Sequence, residues 1–299
     1  MEPRPHFTAA LFSVLALVVT VRAEPRILYE KPSAFGTVIV TEEAGLRTLL
    51  FERGGAKQSV VKIGDPRHLE LAYAPVAFTG LALCAAEPRR ALVVGLGGGT
   101  LPMFFRAYYP DATIDAVDID PAVVQVARTY FGFREDDRMR AVVGDGREFI
   151  EKTRQPYDII FLDAFGSDSV PAHLTTEEFL RAVRRALRPD GVVVGNIWGR
   201  GANPLYDPMV RTYQEVFDEL YIINVQDAAN EILLALPQPL NFSREALAGM
   251  ARQVSNFRRF RYDLGDRVMY GFQPGITKRS DHRVLRDADL KKPPNPDSP

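Results

Sequence analysis

Within one stretch of this sequence, glycines and carboxylates recur at intervals that suit nucleoside chemistry. Gly95-Leu96-Gly97-Gly98-Gly99 directly follows the apolar run Ala91-Leu92-Val93-Val94. Without Cβ atoms, Gly95, Gly97 and Gly99 let the backbone approach a ligand closely. A helix opening just beyond favours a ligand carboxylate or phosphate. Asp118 ends the next strand-like segment, where an acid can accept from both hydroxyls of a ribose. Asp145, in Gly144-Asp145-Gly146, ends a third segment and can accept from an adenine amino group. A plain Asp-Gly turn explains that tripeptide equally well. Asp163 closes the run Tyr157 to Leu162, and a carboxylate projecting into the same cleft can orient or deprotonate an amine. Burial would raise its pKa, and a cationic amine nearby would lower it. Asp168 is either a loop cap bonded to nearby backbone amides or a second substrate-binding carboxylate. Tyr73 and Trp198 offer aromatic faces to a base or a cationic chain, although packing accounts for both. His173 is a lone histidine with no partner evident in the sequence.

These residues need a scaffold that brings strand ends together. From Arg90 onward, apolar strands alternate with helical segments: Thr113 to Ile119, Met139 to Val143, Tyr157 to Leu162 and Val192 to Ile197 read as strands. Asp120 followed by Pro121 is an N-cap with proline at the first helical position. Thr175-Thr176-Glu177-Glu178 resembles a capping box opening a helix that ends near Arg188. Such alternation predicts a parallel sheet with helices on both faces, an α/β Rossmann-like core from about Ala91 to Trp198. Glu219 to Val225 and Asn230 to Leu236 read as a closing antiparallel pair, and Ser243 to Val254 as a helix. Ahead of the core, Arg26 to Ile63 is β-rich, with three short strands around Thr37–Thr41, Arg47–Glu52 and Gln58–Ile63. Leu69 to Ala86 has helical apolar spacing, with Pro75 in a first turn or at a kink.

The 299 residues are 46% hydrophobic and 25% charged, with a net charge of -1. That balance offers no polybasic field for nucleic acid or an anionic membrane. The single cysteine, Cys84, precludes an internal disulfide, and neither a CxxC nor an HExxH spacing suggests a metal. Arg4, the apolar stretch Phe7–Val21 and Val21-Arg22-Ala23 have the layout of a secretory signal peptide cleaved after Ala23. About 15 apolar residues fall short of the roughly 20 that span a bilayer. The expected organisation is a signal peptide over 1–23, a small β sheet over 24–68 and a Rossmann-like domain over 69–290. A disordered Pro- and Lys-rich tail is expected over 291–299. The mature protein is expected to be exported, without stable membrane insertion, and a homodimer is compatible with these features.

Taken together, Val94-Gly95-Leu96-Gly97-Gly98-Gly99-Thr100, Val117-Asp118-Ile119-Asp120-Pro121, Gly144-Asp145-Gly146 and Tyr157-to-Asp163 resemble the spermidine synthase family, the polyamine aminopropyltransferases. Gln58-Ser59 at the end of the β-rich segment adds to the match, which runs from about Thr37 to Asp281. The resemblance implies a class I S-adenosylmethionine-type fold that binds decarboxylated S-adenosylmethionine and a small-molecule amine such as putrescine. It implies that Asp118 holds the ribose, Asp145 with Gly146 the adenine, and Gln58 the thioether end. Asp163 would position and deprotonate the amine. Three positions depart from the family pattern: Gly98 stands for its loop aspartate, Gly166 for its second fourth-strand aspartate, and Tyr73-Ala74-Pro75 for its Tyr-His-Glu. Two alternatives use the same cleft. One is a methyltransferase taking S-adenosylmethionine, and the other a binding protein that keeps the nucleoside or polyamine pocket without the chemistry.

Overall fold

The computed structural model describes residues 24–166, 169–273 and 281–290. The expected signal peptide, the expected tail and Asp168 all lie outside these described residues.

Four antiparallel strands open the fold: β1 (Arg26–Ser33), β2 (Gly36–Glu43), β3 (Leu46–Leu50) and β4 (Lys57–Lys62), paired in that order. The sequence predicts three; β1 is the addition. Its mixture of exposed and half-buried residues leaves no clean period-two signal to read. Val38, Val40, Leu49 and Val61 of this sheet belong to the same apolar cluster as Val124 and Phe131 of the following domain. Arg47 also donates to the Tyr130 carbonyl. The small sheet therefore shares the main core.

The predicted helix over Leu69–Ala86 is shorter: α1 (Tyr73–Ala77), then a 3-10 segment Phe78–Leu83. Pro75 sits in the first turn of α1, where its missing N–H costs nothing. The main sheet holds β5 (Arg90–Val94), β6 (Thr113–Asp118), β7 (Met139–Val143), β8 (Tyr157–Leu162), β9 (Leu187–Trp198), β10 (Glu219–Asn224) and β11 (Asn230–Leu236). Their spatial order is β10-β11-β9-β8-β5-β6-β7. All neighbours from β9 to β7 are parallel, and β11 and β10 close the sheet antiparallel. Ile159-Ile160-Phe161 and Val192-Val193-Val194 are apolar at every position because two separate apolar clusters cover the two faces.

The helices are α2 (Thr100–Tyr108), α3 (Pro121–Tyr130), α4 (Gly146–Glu151), α5 (Glu177–Ala186), α6 (Tyr206–Val216), α7 (Arg244–Arg258), α8 (Leu264–Gly271) and α9 (Asp287–Leu290). Asp120 caps α3 by accepting from the Ala122 N–H, Thr176 caps α5, and Ser243 caps α7. Asp120 and Ser243 stand where the sequence starts a helix, whereas the expected Thr175–Glu178 box is replaced by a single bond from the Phe179 N–H to Thr176. Asp145 is the exception to a plain turn, since it caps α4 by accepting from the Arg147 and Glu148 N–H groups. Near the C-terminus, Asp287 receives two hydrogen bonds from Arg147 of α4, and Leu285 is held by backbone bonding to Glu177. Among the described residues, no helix is long and apolar enough to cross a membrane.

Candidate active site

Strand order reverses direction at β5, whose two neighbours are β6 and β8. The loops leaving such strands diverge and leave a crevice at their carboxyl ends. Here the crevice is a cavity of about 570 Å³, lined by residues of β4, α1, the glycine loop and the ends of β6, β8 and β9. Gln58, Tyr73, Gly95, Gly97, Asp118, Asp145, Gly146 and Asp163 all face it. Its size is that of a small-molecule site.

Gly95 makes the crevice possible. It has φ +98°, and a Cβ there would lie 2.3 Å from the Asp163 carbonyl oxygen. The ends of β5 and β8 thus meet only because residue 95 has no side chain, and Asp163 reaches the cavity through that contact. Gly99 plays a different part from the one expected. It caps α2 in the left-handed conformation, is buried, and has Phe133 2.8 Å from where its Cβ would be. Gly99 is not among the cavity-lining residues; it shapes the turn. Gly98 is likewise covered, with Phe131 at 2.8 Å and Ser59 Oγ at 2.9 Å from its would-be Cβ.

Asp118 braces the glycine loop. Its Oδ2 accepts from the N–H groups of Leu96 (2.9 Å) and Gly97 (3.3 Å), and its Oδ1 accepts from Asp120 N–H at 3.0 Å. Burial pushes its pKa up, opposed by those three donors. A carboxylate has about four acceptor positions, so with Oδ2 taking two N–H groups and Oδ1 one, a position remains on Oδ1 for a ligand hydroxyl. On the next strand end, Asp145 gives Oδ1 to the α4 cap, while His173 Nε2 stands 3.0 Å from Oδ2. His173 therefore has a partner that sequence alone did not reveal. The two lie side by side in the cavity wall.

Asp163 is the most perturbed carboxylate of the site. Tyr73 Oη donates to its Oδ2 at 2.8 Å, and Asn196 Nδ2 donates to its Oδ1 at 2.7 Å. Burial lifts its pKa to about 6, with the Asn196 and Tyr73 hydrogen bonds pulling the other way. Tyr73, expected as an aromatic face, serves Asp163 through its hydroxyl, and burial beside that carboxylate raises the tyrosine pKa well above its ordinary value. Asn196 was missed. The one signal for it was an amide inside the apolar run Val192–Ile197, because a buried polar side chain must find a partner. Its own Oδ1 accepts from Asn230 Nδ2 at 2.9 Å. Gln58 lies across the cavity on β4, bonded only loosely to Ala56 O at 3.4 Å. Trp198 and Phe165 meet edge to face, 6.2 Å between centroids, in the wall near Asp163.

Comparison with known proteins places this chain in a family. A spermine/spermidine synthase domain is recognised over residues 75–198. A polyamine aminopropyltransferase of Vibrio vulnificus is 33% identical over 248 residues, covering 77% of this chain and 82% of that protein. The structure of human methyltransferase-like protein 13 in complex with SAH is similar with a TM-score of 0.58 and 31% identity, over 64% of this chain and 93% of that one. A probable spermidine synthase from Corynebacterium glutamicum shares the fold, with a TM-score of 0.66 at 22% identity over 76% of this chain and 86% of that one. Identity of 33% to an aminopropyltransferase, over 82% of that protein's length, settles the grouping: this chain is a transferase of the spermine/spermidine synthase family.

Proposed function

We propose that the protein transfers an aminopropyl group from decarboxylated S-adenosylmethionine to an amine, with a diamine such as putrescine as the acceptor class that the family suggests. The observation that carries this reading is Asp163, a carboxylate at the cavity wall with its pKa lifted to about 6 and both oxygens fixed by neutral donors. A general base works best with a pKa near the operating pH. The amine nitrogen forms a bond to the methylene carbon beside the sulfonium. The carbon–sulfur bond breaks, and its electron pair neutralises the sulfur to give methylthioadenosine. The proton lost by the amine passes to Asp163 and then to solvent. In this reading Asp118 holds the ribose, Asp145 and Gly146 flank the adenine, Gln58 faces the thioether end, and Gly95 and Gly97 let the loop close on the donor.

One observation favours a second reading, methyl transfer from S-adenosylmethionine. The position of the family's loop aspartate is Gly98, and the space a side chain there would need is filled by Phe131 and Ser59. The loop therefore offers no carboxylate to a donor's amino group, and the similar human protein was solved with SAH. Supplying the two donors separately, with putrescine, spermidine and cadaverine as acceptors, decides between them. Methylthioadenosine released only from the decarboxylated donor is the expected result. S-adenosylhomocysteine from the intact donor would establish methyl transfer instead, and tight nucleoside binding with neither product would leave a binding protein.

The nucleoside assignment has its own check. Asp118→Ala is expected to weaken methylthioadenosine binding by about 1.5–3 kcal/mol, the scale of lost hydrogen bonds to a charged group. The glycine loop also loses the acceptor for Leu96 and Gly97, which adds in the same direction. Equal affinity of variant and parent in calorimetry would remove Asp118 from the ribose site.

A further inference from the structure

We propose that Asn230 is a positioning residue for Asp163: by donating to Asn196 Oδ1 it holds the Asn196 amide with its nitrogen, not its oxygen, toward the carboxylate. The inference rests on reading Asp163 as the proton acceptor, and it concerns what keeps that carboxylate ready.

Asn196 and Asn230 lie on neighbouring antiparallel strands, β9 and β11. Asn196 is opposite Ile232, and Asn230 is opposite Trp198. Residues two apart on a strand share a face, so the two amides form a diagonal cross-strand pair. Both line the cavity. The bonds run in one direction: Asn230 Nδ2 to Asn196 Oδ1 at 2.9 Å, then Asn196 Nδ2 to Asp163 Oδ1 at 2.7 Å. Tyr73 supplies the donor on the other carboxylate oxygen.

A side-chain amide has one accepting end and one donating end of nearly equal shape. Turned by 180°, Asn196 would present Oδ1 to Asp163. That orientation repels an ionised carboxylate but accepts a hydrogen bond from a protonated one. A freely turning amide would therefore adapt to either state of Asp163 and stabilise both. With its oxygen bonded to Asn230, Asn196 can turn to serve the protonated form only if that bond breaks or Asn230 turns with it, so the pair favours the ionised form. The relay thus selects the state that can take a proton, against the burial that favours the protonated acid.

Other charges near Asp163 do not compete for this role. Tyr73 of α1 is a neutral donor. Asp118 at the end of β6, Asp145 at the start of α4, His173 before α5 and Lys57 of β4 line the same cavity but make no hydrogen bond to Asp163 among the described residues. Glu231, next to Asn230, is bonded to the Tyr206 hydroxyl instead.

The test replaces Asn230 in the full chain. Asn230→Leu removes the donor at similar size, and Asn230→Asp replaces it with a carboxylate that only accepts when ionised. The midpoint of the Asp163 titration is read in two ways: from the acid limb of the turnover profile, and from the carboxyl carbon-13 resonance that disappears in Asp163→Asn. The resonance needs no turnover, so a wrong substrate assignment does not affect it. Loss of one net hydrogen bond, about 1 kcal/mol, corresponds to an upward shift of about 0.7 pH unit. Asn230→Leu is expected to show that shift, and Asn230→Asp a larger one. Should one variant fail to fold, as judged by its melting curve, the other carries the measurement. A resonance midpoint unchanged from the parent in either folded variant overturns the proposal.

Discussion

Asp163→Asn is expected to lower turnover by about 10²–10⁴-fold, the usual loss when a general base is removed, while methylthioadenosine binding stays at the parental level. Asparagine keeps the shape of the side chain and one acceptor for Asn196, and the Tyr73 hydroxyl can turn to accept from the introduced amide. What disappears is the ability to hold a proton. The parent's rate should rise with pH through about 6, where Asp163 ionises, and then level. The variant's profile should lack that limb. Stability should move the other way. Burial raises the folded-state pKa to about 6, above the roughly 4 of an unfolded aspartate. Folding therefore takes up a proton between those values, and the stability this group contributes is present below about pH 4 and lost as pH rises through about 6. Asparagine has no such loss, so the variant's Tm should exceed the parent's at pH 8, with the gap closing toward pH 4. A variant that retains full turnover would remove Asp163 from the chemistry. One with parental Tm at both pH values would mean that the carboxylate is better solvated than its surroundings indicate.

Gly95→Ala is expected to be the most damaging single-methyl change in the site. The backbone at φ +98° is strained for any L side chain, at about 1–3 kcal/mol. The new methyl would also sit 2.3 Å from the Asp163 carbonyl oxygen and 3.0 Å from Ala164 Cα. These are backbone atoms that cannot rotate away, and overpacking of this kind costs about another 1–3 kcal/mol. Urea unfolding should register the sum as a lower midpoint. The folded fraction should still turn over slowly, since relief of the overlap displaces Asp163, and small misplacements of reacting groups cost about 10²-fold. An unchanged midpoint together with unchanged turnover would mean that the β5–β8 junction tolerates a side chain, against its geometry.

Much of this arrangement was legible in the residues. Continuous apolar runs with glycine or aspartate at their ends announced β5 to β9 and the side on which the cavity lies, because parallel strands buried on both faces leave little other pattern to follow. Helix starts were readable at Asp120, at the Thr175-Thr176 pair and at Ser243, whereas the equally local caps at Asp145 and Asp263 went unread. Elements defined by tertiary contact were not legible either. α4 hid behind an Asp-Gly pair that also fits a turn, and β1 has one face only partly covered. Partners were hidden for the same reason. His173 reaches Asp145 across 28 positions, Asn230 reaches Asn196 across 34, and Tyr73 reaches Asp163 across 90. The residue types were visible, but only the fold brings them within bonding distance. Gly99 illustrates the converse: its type suggested a ligand contact, and its surroundings give it to Phe133.

The sharing of one core between the N-terminal sheet and the main domain bears on how the chain folds. Ser33 bonds to Asp120 across 87 positions, and Arg47 to Tyr130 across 83. The first strands therefore lack part of their packing partners until α3 has been synthesised, and such non-local closure is slow. Meanwhile they form an open sheet whose edges invite pairing with another chain. β1, at one edge, carries Arg26, Glu30 and Lys31, and its ion pairs run to Glu42 of β2 and to Arg53 in the turn between β3 and β4. Charge along an edge strand deters intermolecular pairing. The least regular strand of the sheet is thus suited to guarding its neighbours during the interval before the domain behind them exists.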